Sequence, residues 1–219
     1  MKKLFLPLAL VAVLFTSCND DDSSMVTPEP EPIDQTPTPA QELKLITTSN
    51  TSGKISFTDL LATTPTAKSF TISSTDADGV YYDTFKDQVV LASRTNNRVE
   101  AYNRLRNAII SSATTLDLSF SSSVDFTNAR EIAVSGDKVV VAQDQNAGNG
   151  NLSKFYVYQR NTSGFTLLNT YTVDIKLWGI HLDGTTMYAI ADNTSDLVVY
   201  NNFFSNATAN VSSESLSFF

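Results

Sequence analysis

Met187-Tyr188-Ala189-Ile190-Ala191-Asp192-Asn193-Thr194-Ser195-Asp196-Leu197-Val198-Val199-Tyr200 is the stretch from which the rest of the chain can be read. Two β-rich runs, Met187 to Ala191 and Leu197 to Tyr200, flank a short run of Asp, Asn, Thr and Ser. Polar turn formers between two such runs are the signature of a β-hairpin. The pattern occurs three times upstream. Leu45 to Ile55 turns through Asn50-Thr51-Ser52-Gly53, and Val89 to Val99 turns through Asn96-Asn97. Val139 to Asp144 resumes, after a Gly/Asn insertion, at Phe155 to Tyr158. The starts at 45, 89, 139 and 187 are 44, 50 and 48 residues apart.

Further strands flank these hairpins. Gly79 to Asp83, Glu131 to Asp137 and Gly179 to Gly184 precede the last three, and each hairpin is followed by another extended run. Those following runs are Lys68 to Ser73, Thr114 to Phe120, Phe165 to Val173 and Ser213 to Phe219. Four short strands in every 45–50 residues is the period of a β-propeller blade. The expected fold class is all-β: a propeller of four-stranded antiparallel blades, about four of them, over residues 43–219. No helix is expected; Arg104 to Ile110 comes nearest and is too short to count.

The first unit has no innermost strand, because a proline-rich segment ends where that strand would begin. The chain stops after a fourth-position strand, where Leu216, Phe218 and Phe219 would leave an apolar edge. The expectation is an N-terminal part of a longer protein; a ring of four blades is the alternative.

Residues 1–17 have the parts of an export signal. Lys2 and Lys3 precede an apolar run from Leu4 to Phe15, and Thr16-Ser17 stand before Cys18. Twelve residues rise about 18 Å as a helix, too little for a hydrocarbon layer of about 30 Å, so the run is a signal-peptide core. The small residues before Cys18 resemble the lipobox of bacterial lipoproteins, with Phe15 in place of the usual leucine. That resemblance implies an acylated, palmitate-bearing Cys18 and a membrane-anchored mature chain. Cys18 is the single cysteine, so acylation also accounts for an unpaired thiol in an exported protein.

Residues 18–42 form an acidic tether. It carries five of the seven prolines, seven acids and no base, a composition that favours an extended spacer over a core. Of the net charge of −8, the folded part carries only −3. No basic stripe is present, which argues against nucleic acid as a partner. Asn19-Asp20-Asp21-Asp22 resembles the export signal of surface lipoproteins of the Bacteroidota. It implies display on the outer face of the outer membrane; a periplasm-facing lipoprotein is the alternative.

The four-strand period over residues 43–219 resembles propellers of the NHL and gluconolactonase-like kind, and uncharacterised propeller lipoproteins of the Bacteroidota. Such propellers bind ligands over the central channel, near the starts of the innermost strands. The repeat alignment puts Asp78, Arg130, Glu131 and Trp178 there, with His181 further along. Asp78 and Glu131 are the pair suited to a divalent cation such as calcium; otherwise Asp78 belongs to a turn with Gly79, Glu131 pairs with a base, and no cofactor is expected. Trp178 is either a stacking platform for a sugar or packing between blades. His181, the single histidine, reads as a hydrogen-bonded core residue, and its solitude excludes a multi-histidine metal site within this chain. No phosphate loop, nucleophile elbow or Cys/His cluster is present. The expected function is a module that binds a glycan, peptide or protein without turning it over. A metal-dependent hydrolase of the lactonase kind is the alternative.

Overall fold

The computed structural model describes residues 44–144, 153–191, 194, 196–206 and 211–215. The signal, Cys18, the tether, the Gly/Asn insertion and Leu216 to Phe219 lie outside them.

The chain forms four antiparallel sheets in sequence order. The first holds three strands, β1 (Lys44–Thr48), β2 (Lys54–Asp59) and β3 (Ala67–Thr71). The second holds β4 (Ala77–Asp83), β5 (Gln88–Ser93), β6 (Arg98–Asn103) and β7 (Phe120–Ser121). The third runs β8 (Ala129–Ser135), β9 (Lys138–Gln143), β10 (Ser153–Arg160) and β11 (Phe165–Val173). The fourth runs β12 (Leu177–Asp183), β13 (Thr186–Ala191), β14 (Asp196–Tyr200) and β15 (Val211–Ser215). Within each sheet every strand pairs with the next in sequence, and the innermost strands β4, β8 and β12 pack side by side. This is the blade arrangement of a β-propeller.

Alternation along the second strand of each blade explains why blades stack. Val89 and Leu91 enter a core shared with Ile55, Phe57 and Phe70 of the first sheet. Val90 and Ala92, one residue out of phase, enter a core with Ile132, Val141 and Tyr158 of the third. In the third sheet, Val139 and Val141 face backwards, while Val140 and Ala142 join Met187, Ala189 and Tyr200 of the fourth. A period of two therefore sends neighbouring residues into different cores, so a strand between blades must be apolar on both faces. All of β5 is buried for this reason, and β9 from Val139 to Gln143.

β1 lies beside β4 as β5 lies beside β8 and β9 beside β12. The first sheet thus corresponds to the second, third and fourth strands of a blade. No described strand sits on its inner side, in line with the strand count from sequence.

Two expectations need correction. Thr114 to Phe120 is not a strand of the second blade: only Phe120–Ser121 pairs with β6. Thr114–Leu116 turns instead to the first blade, where Thr71 donates to Thr114 and Leu116 donates to Thr71. A helix, α1 (Leu105–Ile110), does form, and a second, α2 (Phe203–Asn206), follows β14. Neither has the length that a periodic pattern needs; tertiary contacts hold them. Lys68 Nζ caps α1 by donating to the carbonyls of Ala108 and Ile109, both at 2.8 Å. Phe203 is fully buried against Phe155 and Tyr200. Of the expected turn asparagines, Asn97 takes left-handed backbone (φ 53°).

Candidate ligand-binding mouth

Each four-stranded blade carries a β-bulge near the start of its innermost strand. Asp78 and Gly79 together oppose Ala92, Arg130 and Glu131 oppose Ala142, and Trp178 and Gly179 oppose Ile190. A bulge puts two residues opposite one and re-aims a side chain that regular pleating would send into a core. Four of the five residues expected at the mouth are bulge residues. The repeat alignment put these residues at the starts of the innermost strands but did not reveal the bulges.

Asp78 is half-buried and bound to Arg94, whose Nη1 lies 2.8 Å from Asp78 Oδ2. Arg94 also lies 3.5 Å from Asp76 and donates at 3.0 Å to Asn128 Oδ1 of the next blade. In the third blade the polarity is reversed: Arg130 Nε lies 3.1 Å from Asp144 Oδ2. Arg94 and Asp144 hold equivalent places, each just after the second strand of its blade. The repeats thus keep an ion pair while exchanging its signs.

Glu131 is the exception to pairing. Its Oε1 accepts from the Ile132 amide at 2.9 Å, and no salt bridge to it forms among the described residues. The expectation that it pairs with a neighbouring base is corrected accordingly. Burial, and then the nearby charge of Asp78, push its carboxyl above the ordinary glutamate value, while the Ile132 amide opposes them. Gly79 makes this approach feasible. A Cβ there would come 2.5 Å from Ile132 N and 2.6 Å from Glu131 Oε1, and its φ of +70° already disfavours a side chain. Gly79 is therefore a bulge glycine within β4 rather than part of a separate turn.

Trp178 is 54% exposed, with the Arg130 guanidinium 4.4 Å from its ring centroid. The ring is thus not buried between blades. One face is covered by the cation of the preceding blade. His181 is exposed beside Tyr188, with ring centroids 6.3 Å apart, which corrects its reading as a core residue. Adjacent residues of a strand face opposite ways, so His181 points away from the apolar face that holds Leu182. The structure therefore brings Arg130 onto Trp178 and Glu131 against Gly79, the neighbour of Asp78, and leaves His181 outside. Arg94, Asn128 and Asp144 were missed; the repeat alignment already carried the signal for Arg94 and Asp144.

Among the described residues no group of three or more His, Cys, Asp or Glu side chains converges. A groove of about 760 Å³ lies not at this mouth but at the other end of the blades.

No known protein family and no curated protein is matched by this chain's sequence. Its fold is matched by solved structures. A functionally unknown protein from Desulfotomaculum acetoxidans superimposes with a TM-score of 0.55 at 11% identity, over 83% of this chain and 63% of that one. A candidate 6-phosphogluconolactonase from Bacteroides fragilis gives 0.54 at 10%, over 74% and 47%. Another from Bacteroides uniformis gives 0.54 at 13%, over 78% and 50%. The chain spans about half to under two thirds of the length of these structures. At such identities the likeness is one of fold.

Proposed function

We propose that this protein is a lipid-anchored propeller whose mouth binds a neutral glycan without turning it over. The exposed Trp178, held flat by Arg130 on one side, carries the reading. Sugars present an apolar C–H face and a rim of hydroxyls. A rigid indole suits the first, and carboxylate, guanidinium and amide groups such as Asp78, Arg94 and Asn128 suit the second. Carboxyl groups outnumber guanidiniums among Asp76, Asp78, Glu131, Asp144, Arg94 and Arg130, which disfavours an acidic ligand. Peptide or protein ligands are the other members of the class. Screening the full chain against neutral oligosaccharides by intrinsic fluorescence tests the reading, because Trp178 is the only tryptophan. An emission that no sugar shifts, with binding shown to a peptide or protein, would move the ligand to that class.

The anchoring half of the proposal rests on the sequence. Lys2 and Lys3, the short apolar run and Thr16-Ser17-Cys18 support acylation of Cys18. The acidic run after Cys18 supports display on the outside of the outer membrane.

A second reading has one observation behind it: Asp78 and Glu131, from neighbouring blades, lie close enough for the charge of one to raise the pKa of the other. In a metal-dependent hydrolase of the lactonase kind, Asp78 and Glu131 would hold a divalent cation such as calcium, which would supply Lewis-acid chemistry toward a lactone. Asp78 is already engaged by Arg94, which weakens this reading. Calcium titration of the full chain, together with a lactone hydrolysis assay, separates the two.

A further inference from the structure

A groove of about 760 Å³ runs between the second and third blades at the end opposite the mouth. That volume lies within the roughly 300–1,000 Å³ of small-molecule sites. Arg160 forms part of its wall and is 3% exposed. Its Nη2 lies 2.6 Å from Asp83 Oδ2 and 2.8 Å from the Gly136 carbonyl, and its Nη1 lies 3.1 Å from Gln88 Oε1. Its Nε is buried and has no partner among the described residues.

Arg104 stands on the same groove with left-handed backbone at φ 63°. Among the described residues, five other than glycine take positive φ: Asp87, Asn97, Asn128, Asn202 and Arg104. Four are Asp or Asn, which tolerate this region; Arg104 alone is not. An unfavourable backbone held by a long cationic residue points to a use for the side chain. That side chain is exposed and makes no ion pair or hydrogen bond among the described residues. The acids nearby are committed. Asp137 pairs with Lys86, and Asp87 accepts from the Arg106 amide and the Tyr82 hydroxyl. Asn103, Asn161 and Thr162 add neutral polar groups to the wall.

We infer that this groove is a second ligand site, distinct from the mouth, that takes a carboxylate flanked by hydroxyls, as in a sugar acid. Arg104 meets the carboxylate and the amides and Thr162 meet the hydroxyls. A guanidinium presents a planar fork that matches a carboxylate. The same chemistry is offered by a free sugar acid and by a uronic-acid residue within a polysaccharide.

The test is calorimetric titration of the full chain with D-glucuronate, polygalacturonate, glucose and sulfate. Glucuronate should bind while glucose does not, and sulfate should compete at least tenfold more weakly. Polygalacturonate binding as well assigns the site to polymer; glucuronate alone assigns it to the free acid. Arg104→Asn, which suits left-handed backbone, should lose at least tenfold in affinity with a melting temperature equal to or above the wild type. Trp178→Ala should bind glucuronate unchanged, so this site and the mouth can fail separately. A lower melting temperature for Arg104→Asn would make the guanidinium structural and overturn the inference. Equal binding of glucose, equal competition by sulfate, or no binding of either acid would do the same.

Discussion

The guanidinium of Arg130 lies 4.4 Å from the ring centroid of Trp178, so a residue of the third blade covers one face of an aromatic ring carried by the fourth. Both are bulge residues at equivalent places in their repeats. The contact therefore crosses the blade junction at the point where regular pleating is broken, and it fixes the indole without burying it.

Trp178→Ala should lower glycan affinity by at least about tenfold, equivalent to about 1.4 kcal/mol, with little change in melting temperature because the ring is largely exposed. Arg130→Met should give a smaller loss, since a cation over an exposed ring contributes about 0.5–1 kcal/mol. Fluorescence titration and thermal melts measure both. A large drop in melting temperature for Trp178→Ala would show that the ring packs between blades instead.

Glu131→Gln should stabilise the fold at neutral pH and leave it unchanged at acid pH. The folded pKa of Glu131 lies above the ordinary 4.5, so the folded state holds this proton more tightly than the unfolded state does. Its relative contribution is greatest below about pH 4.5 and is lost as pH rises through the folded value. Glutamine keeps the acceptor for the Ile132 amide and removes the charge. Denaturant melts at pH 4 and pH 7 would show the gain only at the higher pH; equal gains at both would contradict the burial argument.

Gly79→Ala should cost about 2–4 kcal/mol, combining a left-handed residue with a Cβ pressed on backbone. Gly136→Ala shares the positive φ but meets nothing within 4 Å. It should cost only about 1–2 kcal/mol. The difference between the two, read by chemical denaturation, isolates the close approach of β4 to β8.

Arg160→Met should cost about 3–5 kcal/mol, because it leaves the buried Asp83 carboxylate without its cation. Burial raises the pKa of Asp83, but the Lys86 amide, Arg160 and the Phe85 amide outweigh it and hold the group below its usual 3.8. Stability from Asp83 is therefore present above about pH 4 and is lost as pH falls through the folded value. In Arg160→Met, Asp83 should titrate higher and the acid transition move to higher pH. Circular dichroism across pH 2–6 follows it, and an Asp83→Asn, Arg160→Met double variant should recover part of the loss.

Cys18→Ala should abolish palmitate labelling and release the chain from membranes. In cells carrying the natural sequence, external protease should remove the domain, and replacing Asp20, Asp21 and Asp22 with alanine should protect it. Equal palmitate labelling of both forms would end the lipid proposal. Resistance of the wild-type domain on intact cells, with cleavage after lysis, would end the surface one.

The strand order was legible in the sequence because a strand between two blades must be apolar on both faces. Runs such as Val89 to Ala92 and Val139 to Ala142 admit few other readings, and the repeat gave the blades and the starts of their innermost strands. Elements shaped by contact were not legible. α1 exists because Lys68, forty residues earlier in sequence, caps its last turn, and Thr114–Leu116 leaves its own blade to pair with Thr71 of the preceding one. The bulges were invisible because pairing two residues against one is a property of two strands together. The Arg160 groove was invisible for the same reason. Asp83 and Arg160 are 77 positions apart, and only the packing of one blade on the next brings carboxylate and guanidinium to 2.6 Å. Local pattern determined which residues are strands; the junctions between blades decided which side chains meet.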